Sequence, residues 1–362
     1  MSLTSLLKSL PIPIIQAPMV GASSDAMAAA VSRAGGLGSL AAAGVAPDEI
    51  EAAVGAFRAQ VDGPFAVNLQ MAPRVQPEPA ELDAALARLA PWYAELGEPL
   101  PTTPNQFSHD FAAQLAALTR AAPPVASFTF SVLTRLQIDA LHAAGTYVLG
   151  TANTAAEARA WADAGADGIC AQGFEAGGHH GNFLAHIEAS SVGTFALVAT
   201  VLKAVDLPVV AAGGIMDGRG VAAALALGAS AVQMGTAFLL ADEATNGPVW
   251  QAAVRGAPDD ATRLTRAFSG RYARGIENRF MRELRGEEGD VPAYPVQNRL
   301  TQPLRAASGR AGNPDMMSLW AGQAVKLAKP GKAGDMVQQW WAEARDVAQV
   351  LAQRTGASGR QT

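Results

Sequence analysis

The chain has 362 residues, of which 49% are hydrophobic and only 16% are charged, and its net charge is −5. No cluster of Lys or Arg forms the basic stripe that a nucleic-acid surface needs, and no apolar run reaches the roughly 18 residues of a membrane span. A single cysteine, Cys170, excludes an internal disulfide and agrees with a reducing compartment. We therefore expect a cytoplasmic protein that binds neither nucleic acid nor membrane.

Eight short apolar runs alternate with Ala-rich helical segments between residues 12 and 240. The predicted strands are Ile12–Gln16, Gly38–Ala42, Phe65–Leu69, Val125–Phe130, Tyr147–Gly150, Gly168–Gln172, Val209–Ala212 and Ala231–Met234. The predicted helices include Pro47–Gln60, Ala155–Ala164, Thr194–Val205 and Gly218–Leu227. Strands that alternate with helices form a parallel sheet, and eight of them close a (β/α)8 TIM barrel. The pattern therefore predicts an α/β barrel over residues 1–240.

Two regions interrupt this alternation. Residues 71–106 are rich in proline and delay the fourth strand, whereas residues 241–310 lose the strand pattern and gain charged side chains. We interpret residues 241–310 as a smaller, mainly helical second domain that contributes to a substrate pocket over the barrel mouth. Residues 311–362 are predicted to pack back on the barrel through a last helix near Asp335–Gln353, and a polar tail is expected to fray after Thr355.

Glycines follow the last two predicted strands, at the end of a barrel where ligands bind. The loops read Ala211-Ala212-Gly213-Gly214-Ile215 and Gln233-Met234-Gly235-Thr236. Glycine lets the backbone direct several N–H groups at phosphate oxygens, and barrels commonly hold phosphate in these two loops. Asp217 can cap the next helix, whose N-terminus favours an anion. Tight turns alone would also explain the glycines, but two consecutive loops favour a phosphate site.

The sixth predicted strand leads into the loop Gln172-Gly173-Phe174-Glu175-Ala176-Gly177-Gly178-His179-His180-Gly181. This loop is expected at the same mouth as the phosphate loops, and its glycines allow the backbone to approach a planar ring. Histidine titrates near neutral pH, so His179 can act as a base towards a carbon acid or bind an anion. Two adjacent histidines without further ligands do not make a zinc site, and we expect no metal. We predict that His180 packs or faces solvent.

These motifs together resemble the nitronate monooxygenase family. The resemblance covers residues 12–330 and is carried by Gln16-Ala17-Pro18-Met19, Asn68, the histidine loop and both glycine loops. The segments Tyr294–Asn298 and Ser318–Gln323 are similar to those of its class I branch. The resemblance implies an FMN-dependent barrel without a metal, which oxidises alkyl nitronates such as propionate 3-nitronate with O2 to a carbonyl product and nitrite. We expect such an enzyme to be a monomer or a homodimer.

The resemblance also implies roles for single residues. His179 would be the catalytic residue and would contact the substrate together with Tyr294. A cation such as Arg274 would stabilise the nitronate anion. Ser131, where relatives are expected to carry glycine, and His180, where another basic residue is more usual, depart from the family pattern. The residues implied to bind FMN are Pro18, Met19, Asn68, Gln172, Gly177, Gly178, Gly213, Gly214, Gln233, Met234, Gly235 and Thr236.

Two other functions are compatible with parts of this pattern. An NAD(P)H-dependent FMN reductase acting on quinones or enoyl thioesters shares the Gly-Gly-His loop, so that loop does not separate the two activities. A barrel that binds a phosphate ligand without catalysis would lack a base, and His179 argues against it. The C-terminal segments favour nitronate oxidation over the reductase.

Overall fold

The computed structural model describes residues 2–356 and confirms the barrel. Its strands are β1 (Ile14–Gln16), β2 (Ser39–Ala41), β3 (Ala66–Gln70), β4 (Val125–Thr129), β5 (Tyr147–Ala152), β6 (Gly168–Gln172), β7 (Gly178–His179), β8 (Val209–Ala212), β9 (Ala231–Met234), β10 (Thr262–Thr265) and β11 (Ala273–Ile276). Eight of them form one parallel sheet in the order β1-β9-β8-β6-β5-β4-β3-β2. The ends of the sheet meet beside β2, where Leu37 N donates to Ile14 O and Gln16 N donates to Leu37 O.

Helices follow most of the barrel strands, as the alternating pattern predicts. The segments predicted at 155–164 and 218–227 match two of them to within one residue at either end. The helices are α1 (Leu3–Ser9), α2 (Asp25–Arg33), α3 (Ile50–Arg58), α4 (Pro79–Glu95), α5 (Phe111–Ala121), α6 (Arg135–Ala143), α7 (Ala155–Ala164), α8 (Thr194–Ala204), α9 (Gly218–Ala226), α10 (Gly247–Gly256), α11 (Arg279–Leu284), α12 (Val296–Arg310) and α13 (Ala333–Arg354). No helix within residues 2–356 is long and apolar enough to cross a bilayer.

Alternate residues of each barrel strand face the interior of the barrel or the surrounding helices. In β5, Leu149 belongs to the interior cluster, whereas Val148 packs with the helix layer. Helix α1 closes the lower end of the barrel, because Leu3 lies against Gly168 at the start of β6. Leu6 and Leu7 of the same helix join the interior cluster. Each fully buried leucine contributes about 1.5–3 kcal/mol, so helix α1 stabilises the lower end of the barrel.

Part of the proline-rich insertion packs against the segment 241–310. Trp92 of α4, from the proline-rich insertion, packs edge to face on Phe280 of α11 and joins a buried cluster with Leu300 of α12. Both segments of the chain are needed to bury this apolar surface, so α4 of the insertion shares one packed cluster with α11 and α12. Residues 241–310 are helical in α10, α11 and α12, but they also contain the hairpin β10–β11, which the sequence pattern did not reveal.

The hairpin β10–β11 connects the segment 241–310 to the histidine loop. Strand β11 pairs antiparallel with β7, where Ala273 lies opposite His179 and Arg274 lies opposite Gly178. Helix α13 then lies against α2 and α9 on the outside of the barrel. The tail predicted after Thr355 lies, beyond Gly356, outside the described residues.

Candidate active site

A cavity of about 680 Å³ opens at the carboxyl ends of the barrel strands. The cationic and titratable residues of its wall include Arg299, Arg305, His109 and His179, and no Asp or Glu lines it within the described chain. A carboxylate-free cavity with cations favours anionic ligands, although the protein carries a net charge of −5. The structure brings thirteen predicted site residues to this wall: Pro18, Met19, Asn68, Gln172, Gly177, Gly178, His179, Gly213, Gly214, Gln233, Gly235, Thr236 and Tyr294.

Met234 is the predicted cofactor contact that does not line the cavity. Its neighbour Gln233 faces the cavity, and successive residues of a strand point to opposite sides of the sheet. The Met234 side chain therefore enters the layer between barrel and helices, where it is only 1% exposed. The Met234 side chain contributes packing, and the cavity lining gives no support to the predicted contact between Met234 and the cofactor.

Backbone N–H groups converge at the end of the cavity formed by the two glycine loops. Gly213 and Gly214 have φ values of 111° and 72°, which L side chains rarely adopt. A Cβ on Gly213 would lie 2.9 Å from the Thr194 hydroxyl, so a side chain does not fit there. The N–H groups of Gly214, Gly235 and Thr236 donate to no protein acceptor within residues 2–356. These donors can receive an anion, as the sequence predicted.

The start of helix α9 contributes less to that anion site than the sequence suggested. Asp217 caps the helix as predicted, because its carboxylate accepts hydrogen bonds from Arg219 N at 3.0 Å and Gly220 N at 3.1 Å. Glu343 of α13 accepts from Gly218 N at 2.9 Å. Two protein carboxylates therefore satisfy the first N–H groups of this helix, and the loop N–H groups are left to hold an anion.

Gln172 holds both ends of the histidine turn through its side-chain amide. Its Oε1 accepts from Gly181 N at 2.7 Å and from Asn153 Nδ2 at 3.1 Å. Its Nε2 donates to the His179 carbonyl oxygen at 3.1 Å. Gln172 lines the cavity, but most of its hydrogen-bonding capacity fixes the backbone that carries His179.

Two carboxylates anchor the same loop on either side of this turn. Glu175 accepts from Thr194 N at 2.8 Å, at the first residue of α8. Glu157 is completely buried and accepts from Phe183 N at 2.6 Å and Leu184 N at 3.0 Å. Hydrogen bonds to a charged acceptor contribute about 1.5–3 kcal/mol each, so the loop is held rigidly before any ligand binds.

The His179 ring is enclosed by aromatic side chains from three different parts of the chain. Its centroid lies 5.7 Å from that of Phe130, 5.5 Å from Tyr294 and 5.6 Å from Trp320. Its Nε2 forms a 2.8 Å hydrogen bond with Ser269 Oγ. The imidazole is therefore fixed in one orientation at the wall of the cavity.

Burial, together with the positive charges of Arg271 and Arg305 and the neighbouring His180, lowers the pKa of His179 to about 3. The imidazole is consequently neutral at physiological pH, with one nitrogen lone pair able to accept a proton. The same cations stabilise an anion bound beside the ring. The site thus combines a neutral imidazole with a positive electrostatic environment.

Arg305 and Arg299 line the cavity, whereas Arg274 does not. The Arg274 guanidinium stacks 4.6 Å from the Phe174 ring centroid and donates to the Phe174 carbonyl, outside the cavity wall. Arg305 donates to Asn298 Oδ1 at 2.9 Å and to Ser318 Oγ at 3.2 Å. It takes part in no ion pair within the described residues. Its charge is therefore available to a ligand.

Sequence reasoning did not identify Phe130, Ser269, Arg305 or Trp320 as site residues. Phe130 follows β4 directly, and its position at the carboxyl end of a barrel strand could have identified it as a site residue. It adopts a φ of 85°, which is strained for an aromatic residue and costs about 1–3 kcal/mol. Ser131, which departs from the family pattern at the same end of β4, does not line the cavity. Its neighbour Phe130 does.

Three further residues, His180, Cys170 and His109, lie in the protein core or at the cavity wall. His180 is fully buried with no hydrogen bond to either ring nitrogen, in agreement with a packing role. Cys170 lies in the barrel interior at the cavity floor, where burial raises the pKa of its thiol to about 12. His109 lines the cavity from the segment before α5.

Known proteins resemble the chain along nearly its whole length. A family model described as nitronate monooxygenase matches residues 2–343. A nitronate monooxygenase of Pseudomonas aeruginosa is 43% identical over 330 residues, which are 90% of this chain and 94% of that protein. The chain belongs to the nitronate monooxygenase family. A probable nitronate monooxygenase of Staphylococcus aureus is 38% identical over 327 residues, covering 90% of this chain and 92% of that protein.

Two solved structures superpose on this chain over nearly its whole length. A nitroalkane oxidase from Streptomyces ansochromogenes superposes with a TM-score of 0.88 at 42% identity, over 96% of this chain and 99% of that one. FabK from Thermotoga maritima superposes with a TM-score of 0.74 at 29% identity, over 97% and 98%. The chain is therefore an enzyme of the nitronate monooxygenase family with a TIM-barrel fold, as the resemblance implied.

Proposed function

We propose that this member of the nitronate monooxygenase family uses FMN to oxidise alkyl nitronates, such as propionate 3-nitronate, with O2 to a carbonyl product and nitrite. The main support is one cavity that joins the unpaired N–H groups of the glycine loops to the neutral base His179. The carboxylate-free wall suits the two anions this reaction requires, a flavin phosphate and a nitronate.

The residues of the cavity fit FMN. The N–H groups of Gly214, Gly235 and Thr236 would hold the phosphate. Gly177 packs so closely on the backbone of Gly322 that a Cβ would lie 2.5 Å from Gly322 N, whereas a Cβ on Gly178 would meet nothing within 4 Å, so both glycines keep this wall of the cavity free of side chains for a planar ring. When bound, FMN supplies the electron chemistry. The other residues proposed to line the cofactor are Pro18, Met19, Asn68, Gln172, Gly178, Gly213 and Gln233.

The substrate would bind between His179, Tyr294 and Arg305. With a neutral nitroalkane, the α-carbon C–H bond breaks, its electron pair forms the C=N bond of the nitronate, and the proton passes to the imidazole. Arg305 stabilises the negative charge that develops on the nitro oxygens. The Tyr294 hydroxyl donates to Gln70 Oε1 at 3.0 Å, which holds its ring against His179. A preformed nitronate needs the anion contacts but not the base.

The absorption spectrum of the purified protein is the first test of this proposal. We expect a flavin spectrum, with FMN released on denaturation, followed by oxygen uptake and nitrite release when propionate 3-nitronate is added. A protein that binds FMN but consumes no oxygen with any nitronate would refute the proposed activity. A protein that takes up no flavin would refute the proposed cofactor.

A second candidate is an NAD(P)H-dependent FMN reductase acting on quinones or enoyl thioesters. The chain shares its fold with FabK over 97% of its length, so the fold alone does not separate the two candidate functions. Anaerobic mixing with NADH or NADPH separates the two functions. Rapid bleaching of the flavin absorbance would favour the reductase, and an unchanged spectrum would favour nitronate oxidation.

A further inference from the structure

The Ser269 hydroxyl forms a complete set of hydrogen bonds beside His179. Ser269 is fully buried between β10 and β11. Its Oγ lies 2.8 Å from His179 Nε2, 2.9 Å from Arg271 O and 3.3 Å from Arg271 N. A hydroxyl has one proton to donate and two lone pairs that accept. The three neighbouring atoms therefore match the one donor and the two acceptor sites of the hydroxyl.

The chemistry of the neighbours decides how these positions are used. The Arg271 carbonyl has no proton and accepts, whereas the Arg271 N–H donates. If the Ser269 proton serves that carbonyl, His179 Nε2 must be the donor to the second lone pair. If the proton served Nε2 instead, the carbonyl would lose this bond in a buried site, at a cost of about 1–3 kcal/mol. The first arrangement satisfies every group.

A neutral imidazole carries one proton, so a proton on Nε2 leaves the lone pair on Nδ1. No hydrogen bond within residues 2–356 uses His179 Nδ1, which remains available to a ligand. The charged and polar groups that face the ring are Arg271 from the hairpin, Arg305 from α12, His180 from the loop and Tyr294. None of them is a carboxylate that could fix the tautomer in place of Ser269.

We propose that Ser269 is a positioning residue that selects the Nε2–H tautomer of His179, so that Nδ1 takes the proton from the substrate carbon. This inference rests on the proposed function, because a nitroalkane supplies that proton. As the C–H bond breaks and the nitronate C=N bond forms, the proton binds Nδ1 and the ring becomes an imidazolium. Its Nε2–H still donates to Ser269, whose own proton points to the Arg271 carbonyl, so the two bonds stabilise the new charge.

The tautomer can be measured directly in the flavin-free protein. Long-range ¹H–¹⁵N correlation spectra of protein labelled at its five histidines report which ring nitrogen carries the proton. His179→Ala identifies the signal of this residue. We expect the Nε2–H form in the wild type and its loss or mixing in Ser269→Ala. A wild-type signal with the proton on Nδ1 would overturn the proposal, whatever the variant does.

Turnover provides the second readout. In Ser269→Ala we expect kcat on a neutral nitroalkane to fall about 10- to 100-fold, since a wrongly protonated base is ineffective, while kcat on preformed nitronate falls less than about threefold. Ser269→Thr keeps the hydroxyl and should restore both the tautomer and the nitroalkane activity. Ser308→Ala is the matched control, because Ser308 is also fully buried but its hydroxyl bonds Asn313 O. It should change neither readout.

The outcomes separate this inference from the proposed function. If the wild type oxidises no nitronate, the proposed function fails, and the NMR measurement still decides the tautomer. If nitronates are oxidised but Ser269→Ala slows both substrates equally, Ser269 has only a structural role and the inference alone fails. Equal effects of Ser269→Ala and Ser308→Ala would overturn it in the same way.

Discussion

Replacing Gly235 by Asp tests the location of the phosphate with a single charge. Gly235 has a φ of −113°, so the backbone accepts a side chain without strain. A Cβ there would lie 3.3 Å from Ala17 Cβ and 3.4 Å from Met19 Sδ, contacts that Asp and Asn share. At about 5 Å from a phosphate, with an effective dielectric constant of about 20, the carboxylate repels each unit of phosphate charge by about 3 kcal/mol. A single unit of phosphate charge raises the Kd for FMN about 100-fold, and the phosphate monoester carries between about one and two units at neutral pH, so about 100-fold is the lower bound.

Titration of the flavin-free protein with FMN, followed by flavin fluorescence, gives the Kd of each variant. Gly235→Asn has the shape of Asp without its charge and is the matched control. We expect the Asp variant to bind FMN more weakly than the Asn variant by a factor of about 100 or more, with a smaller gap at high salt. Equal Kd values for Asp and Asn, or an Asp variant that is purified fully loaded, would show that the phosphate binds elsewhere.

Two further predictions concern the opposite end of the cavity, and a third concerns the pH dependence of stability. His179→Ala should retain FMN and lose most turnover of nitroalkanes, with a smaller loss on preformed nitronates; unchanged oxidation of nitroalkanes would rule out its role as base. Arg305→Met should raise KM for nitronates about tenfold by removing one charged contact, whereas Arg310→Met, at an exposed position of the same helix paired with Glu98, should not; similar KM values in both variants would contradict the assignment. The free energy of unfolding should fall as the pH drops from about 6.5 towards 3, because His179 and His180, with folded pKa values of about 3, take up protons only in the unfolded chain. His180→Phe should make this fall shallower by about one proton and should stabilise the protein at pH 7, since neither ring nitrogen has a partner; urea denaturation at pH 7 and pH 5 measures both effects, and an unchanged pH dependence would count against a neutral buried His180.

The barrel could be predicted from the sequence because its signals are local. Each strand is a short apolar run beside glycine or proline, and helix ends follow simple residue preferences. Gly165, for example, ends α7 with a φ of 102°, as its position after an Ala-rich segment indicates. The glycine loops and the histidine loop follow predicted strands directly, so their convergence at one mouth follows from parallel topology alone.

The parts that were missed depend on contacts between distant residues. His179 and Ser269 are 90 positions apart, and no local pattern connects them. The hairpin β10–β11 has strands of only four residues that carry Arg263 and Arg274, which hides the alternation of a strand. For Met234 the signal was local, since the period of two that turns the Gln233 side chain towards the cavity turns the Met234 side chain towards the helix layer.

The strand β7 makes His179 part of the hairpin sheet as well as of the barrel loop. The position of the imidazole therefore depends on residues 262–276 as well as on the loop that carries it. A substitution that breaks the pairing between β7 and β11 would disturb the ring, although the hairpin lies outside the eight-stranded barrel sheet.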